Sequence, residues 1–230
     1  MKTTRKRFGL ASITATVLLA LSLSLPAAAQ PAVSIPSGQT IMTFVNRLLI
    51  NPPQVVVFGY FVDIAGLPGP LFLGTPGETT AHFTWSLNAP GALQLQNGDP
   101  KDPGGIEVAV LRSDETFSVY YNANPNQNWS IPASFSAGQL IATFKSEPGT
   151  QIGAGPAAFV TQSYSLVSSR EFAFKGQAFN LARLIPHGFT FFGVNGNIPL
   201  NGAVVPPLTF AGAGTAAAIG SPLSSLAKDR

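Results

Sequence analysis

The chain has no cysteine and very little charge. The first absence excludes disulfide staples, a thiol nucleophile, a cysteine–zinc site and a lipoprotein anchor. The second places the chain far from the average: Asp, Glu, Lys and Arg make up 10% of it, against a usual ~25%. Histidine occurs only as His82 and His187. Two histidines without adjacent ligand partners do not make a metal cluster. No Gly-x-Ser-x-Gly elbow and no glycine-rich phosphate loop is present. No pair of acids stands in a context that points to glycoside hydrolysis, and Asp114-Glu115 reads as part of a turn. No catalytic residue, no metal site and no cofactor is therefore expected.

What is present begins with a leader. Lys2, Arg5, Lys6 and Arg7 precede the apolar run 10–25, which closes in Pro26 and three alanines. A basic start, a short apolar stretch and small residues at the cut describe a secretory signal peptide over 1–29. The run is short for a membrane span and rich in Ser and Thr, so no span is expected after the leader is removed. The expected destination is the periplasm or the extracellular space. Four of the 13 basic residues and none of the 10 acidic ones lie in the leader, so the remainder carries one more acid than base. That leaves no basic footprint for nucleic acid. A nearly neutral, weakly charged surface instead favours association, and self-association is one partner expectation.

The rest is punctuated by glycine, proline and asparagine at the spacing of an all-β protein. Residues 54–65 form a run apolar on both faces, the mark of a covered strand. Residues 78–88 alternate, with Ala81, Phe83, Trp85 and Leu87 on one face. Further strands are expected at 105–112, 116–122, 139–146, 158–167 and 188–194. Residues 40–50 fit either a helix or a strand, and the β-branched residues favour strand. In 170–181, a two-residue turn at Lys175-Gly176 would pair Phe172 with Phe179 and keep three phenylalanines on one face. Roughly ten short strands predict a single all-β domain over 30–211, an antiparallel β-sandwich or, alternatively, a closed β-barrel. From Gly212 the chain becomes small-residue and low-complexity, and 212–230 reads as a loose tail.

One loop stands out. Asn122, Asn124, Asn126, Gln127 and Asn128 crowd between Tyr120 and Trp129. Aromatic planes that stack on sugar C–H faces, with amides beside them to read hydroxyls, suit a neutral glycan. Tyr120, Asn122, Asn126, Asn128 and Trp129 are the candidate ligand-binding residues. The plainer reading of the same residues is a structural loop, because Asn and Pro are turn formers for backbone reasons. Asn97, Asp99 and Asp102 form a second polar loop, but its prolines interrupt any calcium-binding spacing.

The expected function class is a non-enzymatic exported β-domain acting by binding or by envelope or extracellular assembly. A glycan-binding module is the first alternative. A barrel-type carrier or enzyme for an apolar ligand, with a phenylalanine-lined cavity, is the second.

Overall fold

In a computed structural model of the chain, the structure describes residues 34–51, 54–88, 93–96, 107–111, 113, 115–154, 157–196 and 208–220. The strands are β1 (Thr40–Asn51), β2 (Gln54–Ile64), β3 (Phe83–Asn88), β4 (Leu93–Gln96), β5 (Glu107–Leu111), β6 (Thr116–Tyr121) and β7 (Gln139–Ser146). They continue as β8 (Gly149–Ala154), β9 (Ala157–Ser169), β10 (Phe172–Phe174), β11 (Gln177–Phe179), β12 (Phe189–Gly196) and β13 (Leu208–Ala218). The one α-helical turn among the described residues, α1, spans Leu181–Leu184. The all-β antiparallel architecture expected from the sequence is the one the chain adopts. The ambiguous segment at 40–50 is strand, and it pairs along nearly its whole length with both β2 and β13.

The main sheet closes on itself, which makes it the barrel of the two expected architectures. Its order runs β12-β13-β1-β2-β3-β6-β7-β9, and β9 returns to pair with β12. That gives an eight-stranded barrel, a size whose interior is just filled by side chains. β9 is the branch point. Its first half pairs with β8 and its second half with β7, both on the edge opposite β12. From β8 the sheet continues outward through β5 to β4.

Alternation decides what lies inside. Phe44 on β1, Trp85 on β3, Phe117 on β6, Phe144 on β7, Tyr164 on β9 and Phe189 on β12 are all buried. They interlock by stacked and edge-on contacts, such as Trp85 on Phe117 at 4.9 Å between ring centroids and Phe44 on Phe191 at 4.5 Å. One end of the barrel is plugged. The β10–β11 hairpin turns at Lys175-Gly176, both with positive φ, and holds Phe172 opposite Phe179. This is the turn and register that the sequence predicts. Phe172 and Phe174 then pack on Phe83, and Leu181 and Ile185 complete the plug.

The C-terminal segment corrects an expectation. Residues 212–218 are not a loose tail but the second half of β13, hydrogen-bonded between β1 and β12. Small residues there are what the packing requires: Ala216 and Ala218 face a crowded aromatic interior and are buried. Residues 221–230 lie outside the described part, as do the leader and the loop containing Asn97, Asp99 and Asp102.

The outer face carries its own pattern. Val108, Ile152, Phe159 and Val194 form one exposed row in register across β5, β8, β9 and β12. Val110 and Phe192 lie beside it, also exposed.

Phe117 touches Trp85, Phe144, Tyr164 and Phe189 and is 1% exposed. Phe117→Ala is expected to destabilise the barrel by about 3–5 kcal/mol. Leu73→Ala, at a position 61% exposed, should change stability by less than about 0.5 kcal/mol. Urea denaturation of both variants checks the contrast.

Candidate functional site

The end of the barrel opposite the plug holds a recess of about 70 Å³, room for about five waters. Leu48, Val55, Val57, Leu87 and Val160 line it from the barrel, and Leu111 and Gln151 from the strands that extend past β9. Into these mostly apolar walls project Asn46, Trp85, Glu115, Gln162, Tyr164 and Asn195. Each is buried.

The strands place these groups by the same alternation that places the phenylalanines. Asn46 follows Phe44 by two on β1, Gln162 and Tyr164 follow Val160 on β9, and Asn195 continues the Phe191 face of β12. Glu115 precedes Phe117 by two at the start of β6, and its own backbone is pinned. Its N–H donates to Ser146 Oγ at 3.0 Å and its carbonyl accepts the Ser146 N–H at 3.0 Å. Glu115 is therefore not a solvated turn residue. It is an acid, 4% exposed, on the inner wall.

A hydrogen-bonded chain runs through the site. Tyr164 Oη donates to Gln162 Oε1 at 2.9 Å, and Gln162 Nε2 donates to the Glu147 carbonyl at 3.1 Å. The Gln162 side chain also bonds Glu115. Asn46 Nδ2 donates to Asn195 Oδ1 at 2.9 Å. Both asparagines sit opposite Gly212 in the β-ladder and meet over it. A Cβ on Gly212 would collide with Asn195 Oδ1 and stand 2.8 Å from the Asn46 amide, so only glycine admits the pair. Trp85 Nε1 is different. It is buried and has no hydrogen-bond partner among the described residues. An indole N–H only donates, and leaving it unpaired costs about 1–3 kcal/mol.

Burial sets the ionisation. Desolvation pushes the Glu115 carboxyl up from 4.5 to about 7, against a smaller opposing effect of the Gln162 hydrogen bond. Burial, and then the nearby Glu115 charge, hold the Tyr164 phenol well above 10. The recess is thus lined by a carboxyl that changes charge near neutrality and a phenol that stays protonated, and by Trp85, whose buried N–H has no partner among the described residues.

The residues singled out in the sequence lie elsewhere: Tyr120 on β6, and the other four on a loop that covers the outside of β2 and β3. Asn122 Oδ1 accepts the Asn124 N–H at 3.0 Å, and Asn128 Oδ1 accepts the Ser130 N–H at 2.8 Å. Both amides thus cap their own turns. Asn126 is exposed and Tyr120 half-buried on the outer face. Trp129 packs between Phe135, at 4.7 Å between ring centroids, and the Arg47 guanidinium, 4.9 Å from the ring centroid. With Arg47, Leu49, Phe58, Ser130, Pro132 and Thr209 it lines a groove of about 260 Å³. Of the five candidates only Trp129 lines that groove. His82 is half-buried, with Nδ1 2.8 Å from the Asn122 carbonyl oxygen. Among the described residues no group of His, Cys, Asp and Glu is placed to hold a metal ion, and no helix is long and apolar enough to cross a membrane.

Comparison with protein-family models, characterised proteins and solved structures finds no match to this chain.

The raised Glu115 pKa makes a stability prediction. The folded carboxyl keeps its proton up to about 7 while the unfolded one loses it near 4.5. Stability is therefore highest, as far as this group is concerned, below the unfolded value, and falls as pH rises from there through the folded value. The total loss is on the order of 3 kcal/mol. Glu115→Gln should remove this decline. Urea denaturation across pH 4–8 checks it, and parallel slopes for the two proteins would refute the assignment.

Proposed function

We propose that this chain is an exported β-barrel binding protein whose ligand site is the recess at the open end. Its ligand would be a largely apolar molecule that inserts an acceptor group, such as a carbonyl oxygen. The single observation that carries this reading is the buried Trp85 Nε1–H, left without a partner beside the Glu115–Gln162–Tyr164 chain. A mostly apolar pocket with a few convergent polar groups and one shifted acid is the ordinary form of a small-molecule site. The recess is smaller than a drug-sized pocket, so it suits the head of a ligand whose tail lies outward. The leader read at residues 1–29 supports export.

The test uses pentan-2-one and its apolar counterpart hexane. Trp129→Phe leaves Trp85 as the only tryptophan, so the remaining indole N–H resonance belongs to it. Pentan-2-one should move that resonance downfield with saturation, and hexane should not. An indole signal that stays put at saturating ketone would end the proposal.

The outer groove supports a second reading, a glycan site at Trp129, on the strength of its volume and of the Arg47, Ser130 and Thr209 side chains around the ring. Stacking on a sugar requires a free ring face, and Arg47 and Phe135 already lie against the indole. A sugar would have to displace Arg47. On a polysaccharide panel, Trp129→Ala should lose retention if the groove is used, and equal retention by wild type and variant would dismiss it.

A further inference from the structure

The proposed ligand site also has the parts of a proton-transfer centre. We propose that Glu115 is a general base that removes a proton from the carbon next to the carbonyl of a bound ketone, and that the Trp85 indole N–H stabilises the resulting enolate oxygen. This deepens the binding reading and rests on it.

The chemistry balances without a cofactor. The Glu115 carboxylate takes the proton of the C–H bond adjacent to the carbonyl. The electron pair of that bond becomes a carbon–carbon double bond, and the carbonyl π pair moves onto oxygen. The oxygen, now carrying the charge, accepts the Trp85 N–H. Glu115, now a carboxylic acid, swaps that proton with solvent water and returns a solvent-derived proton to the same face of the same carbon. The net result is exchange of that hydrogen with solvent, with retention where that carbon is a stereocentre. Return to a more distant carbon would shift a double bond in an unsaturated ketone.

Several independent observations converge on this assignment. Glu115 and Trp85 line the same recess. The indole donor has no competing partner among the described residues, so stabilising an oxyanion breaks no bond made among them. Gln162 tethers the carboxyl, and Tyr164 in turn fixes the Gln162 carboxamide, so the base is held in place. Tyr164 itself stays protonated and already donates to Gln162, which gives it a positioning role. The groups facing Glu115 from β7 and β9 are Ser146, Gln162 and Tyr164, with no cation among them. Because the carboxyl titrates near 7, base and acid forms are both present at neutral pH, which favours a group that must first take a proton and then return it.

The experiment follows loss of the α-proton signals of pentan-2-one in deuterated buffer by NMR. The wild-type protein should accelerate the exchange above buffer, with a rate that rises as Glu115 ionises through neutral pH. Glu115→Gln should lower that acceleration about 100-fold. Trp85→Phe, which keeps an aromatic ring in the core, should lower it by about 100-fold as well. Circular dichroism establishes that each variant is folded. For the Gln variant, the Trp85 indole shift with pentan-2-one establishes that binding survives. Binding without accelerated exchange in the wild type, or equal exchange in a folded Gln variant that still binds, overturns the catalytic assignment and leaves the binding reading standing. Absence of any indole shift in the wild type overturns both.

Discussion

The pairing of β9 with β12 is the constraint on which the rest of the molecule depends. Without it the main sheet would be an open ribbon with two free edges and a greasy face exposed along its length. With it, the inward residues of eight strands meet around one axis. β9 and β12 also supply Gln162, Tyr164, Phe191 and Asn195 to the recess, so the contact that closes the barrel also assembles much of the site. β9 serves on both edges: it seals the barrel against β12 and carries the extension through β8 and β5 that covers the recess with Leu111 and Gln151.

The second constraint is electrostatic. A carboxyl on the wall of a barrel filled with aromatic rings has little to solvate its charge, so the neutral form persists toward neutrality. A nearby cation would reverse that shift. The chain contains few, and the groups packed on Glu115 are neutral or donate through amides and hydroxyls. The low charge of the chain, which at first sight only limits its partners, is thus also what allows one buried acid to titrate in a useful range.

The outside of the barrel shows a different use of polar residues. In the loop from Asn122 to Gly138, asparagines hold turns while Trp129 and Phe135 cover Phe58, an outward-facing residue of β2 that is 1% exposed. This second, smaller cluster explains why β2 is apolar on both faces: one face lines the barrel and the other is roofed by the loop. On the opposite side, the row from Val108 to Val194 has no such roof among the described residues.

Much of the architecture was legible in local pattern. Period-two alternation located β3, the spacing of turn residues set off β6, β7 and β9, and the three phenylalanines of the β10–β11 hairpin set its register, because strand periodicity and turn geometry are properties of neighbouring residues. The same alternation contained a clue to the site. Glu115 is in phase with Phe117, Val119 and Tyr121, as Asn46 is with Phe44 and Leu48, and Gln162 with Val160 and Tyr164. The glycine- and alanine-rich end of β13 looked like a tail because small residues carry no strand signal of their own; they are needed only where neighbouring chains come close. What the sequence determined by itself was the all-β class, most of the strands and the alternation along some of them. Only the tertiary structure decided that the sheet closes, that Glu115 faces inward with no cation among the described groups packed on it, and that Trp85 and Gln162 share its recess. These depend on contacts between residues dozens of positions apart, and no local periodicity encodes which distant strands will meet.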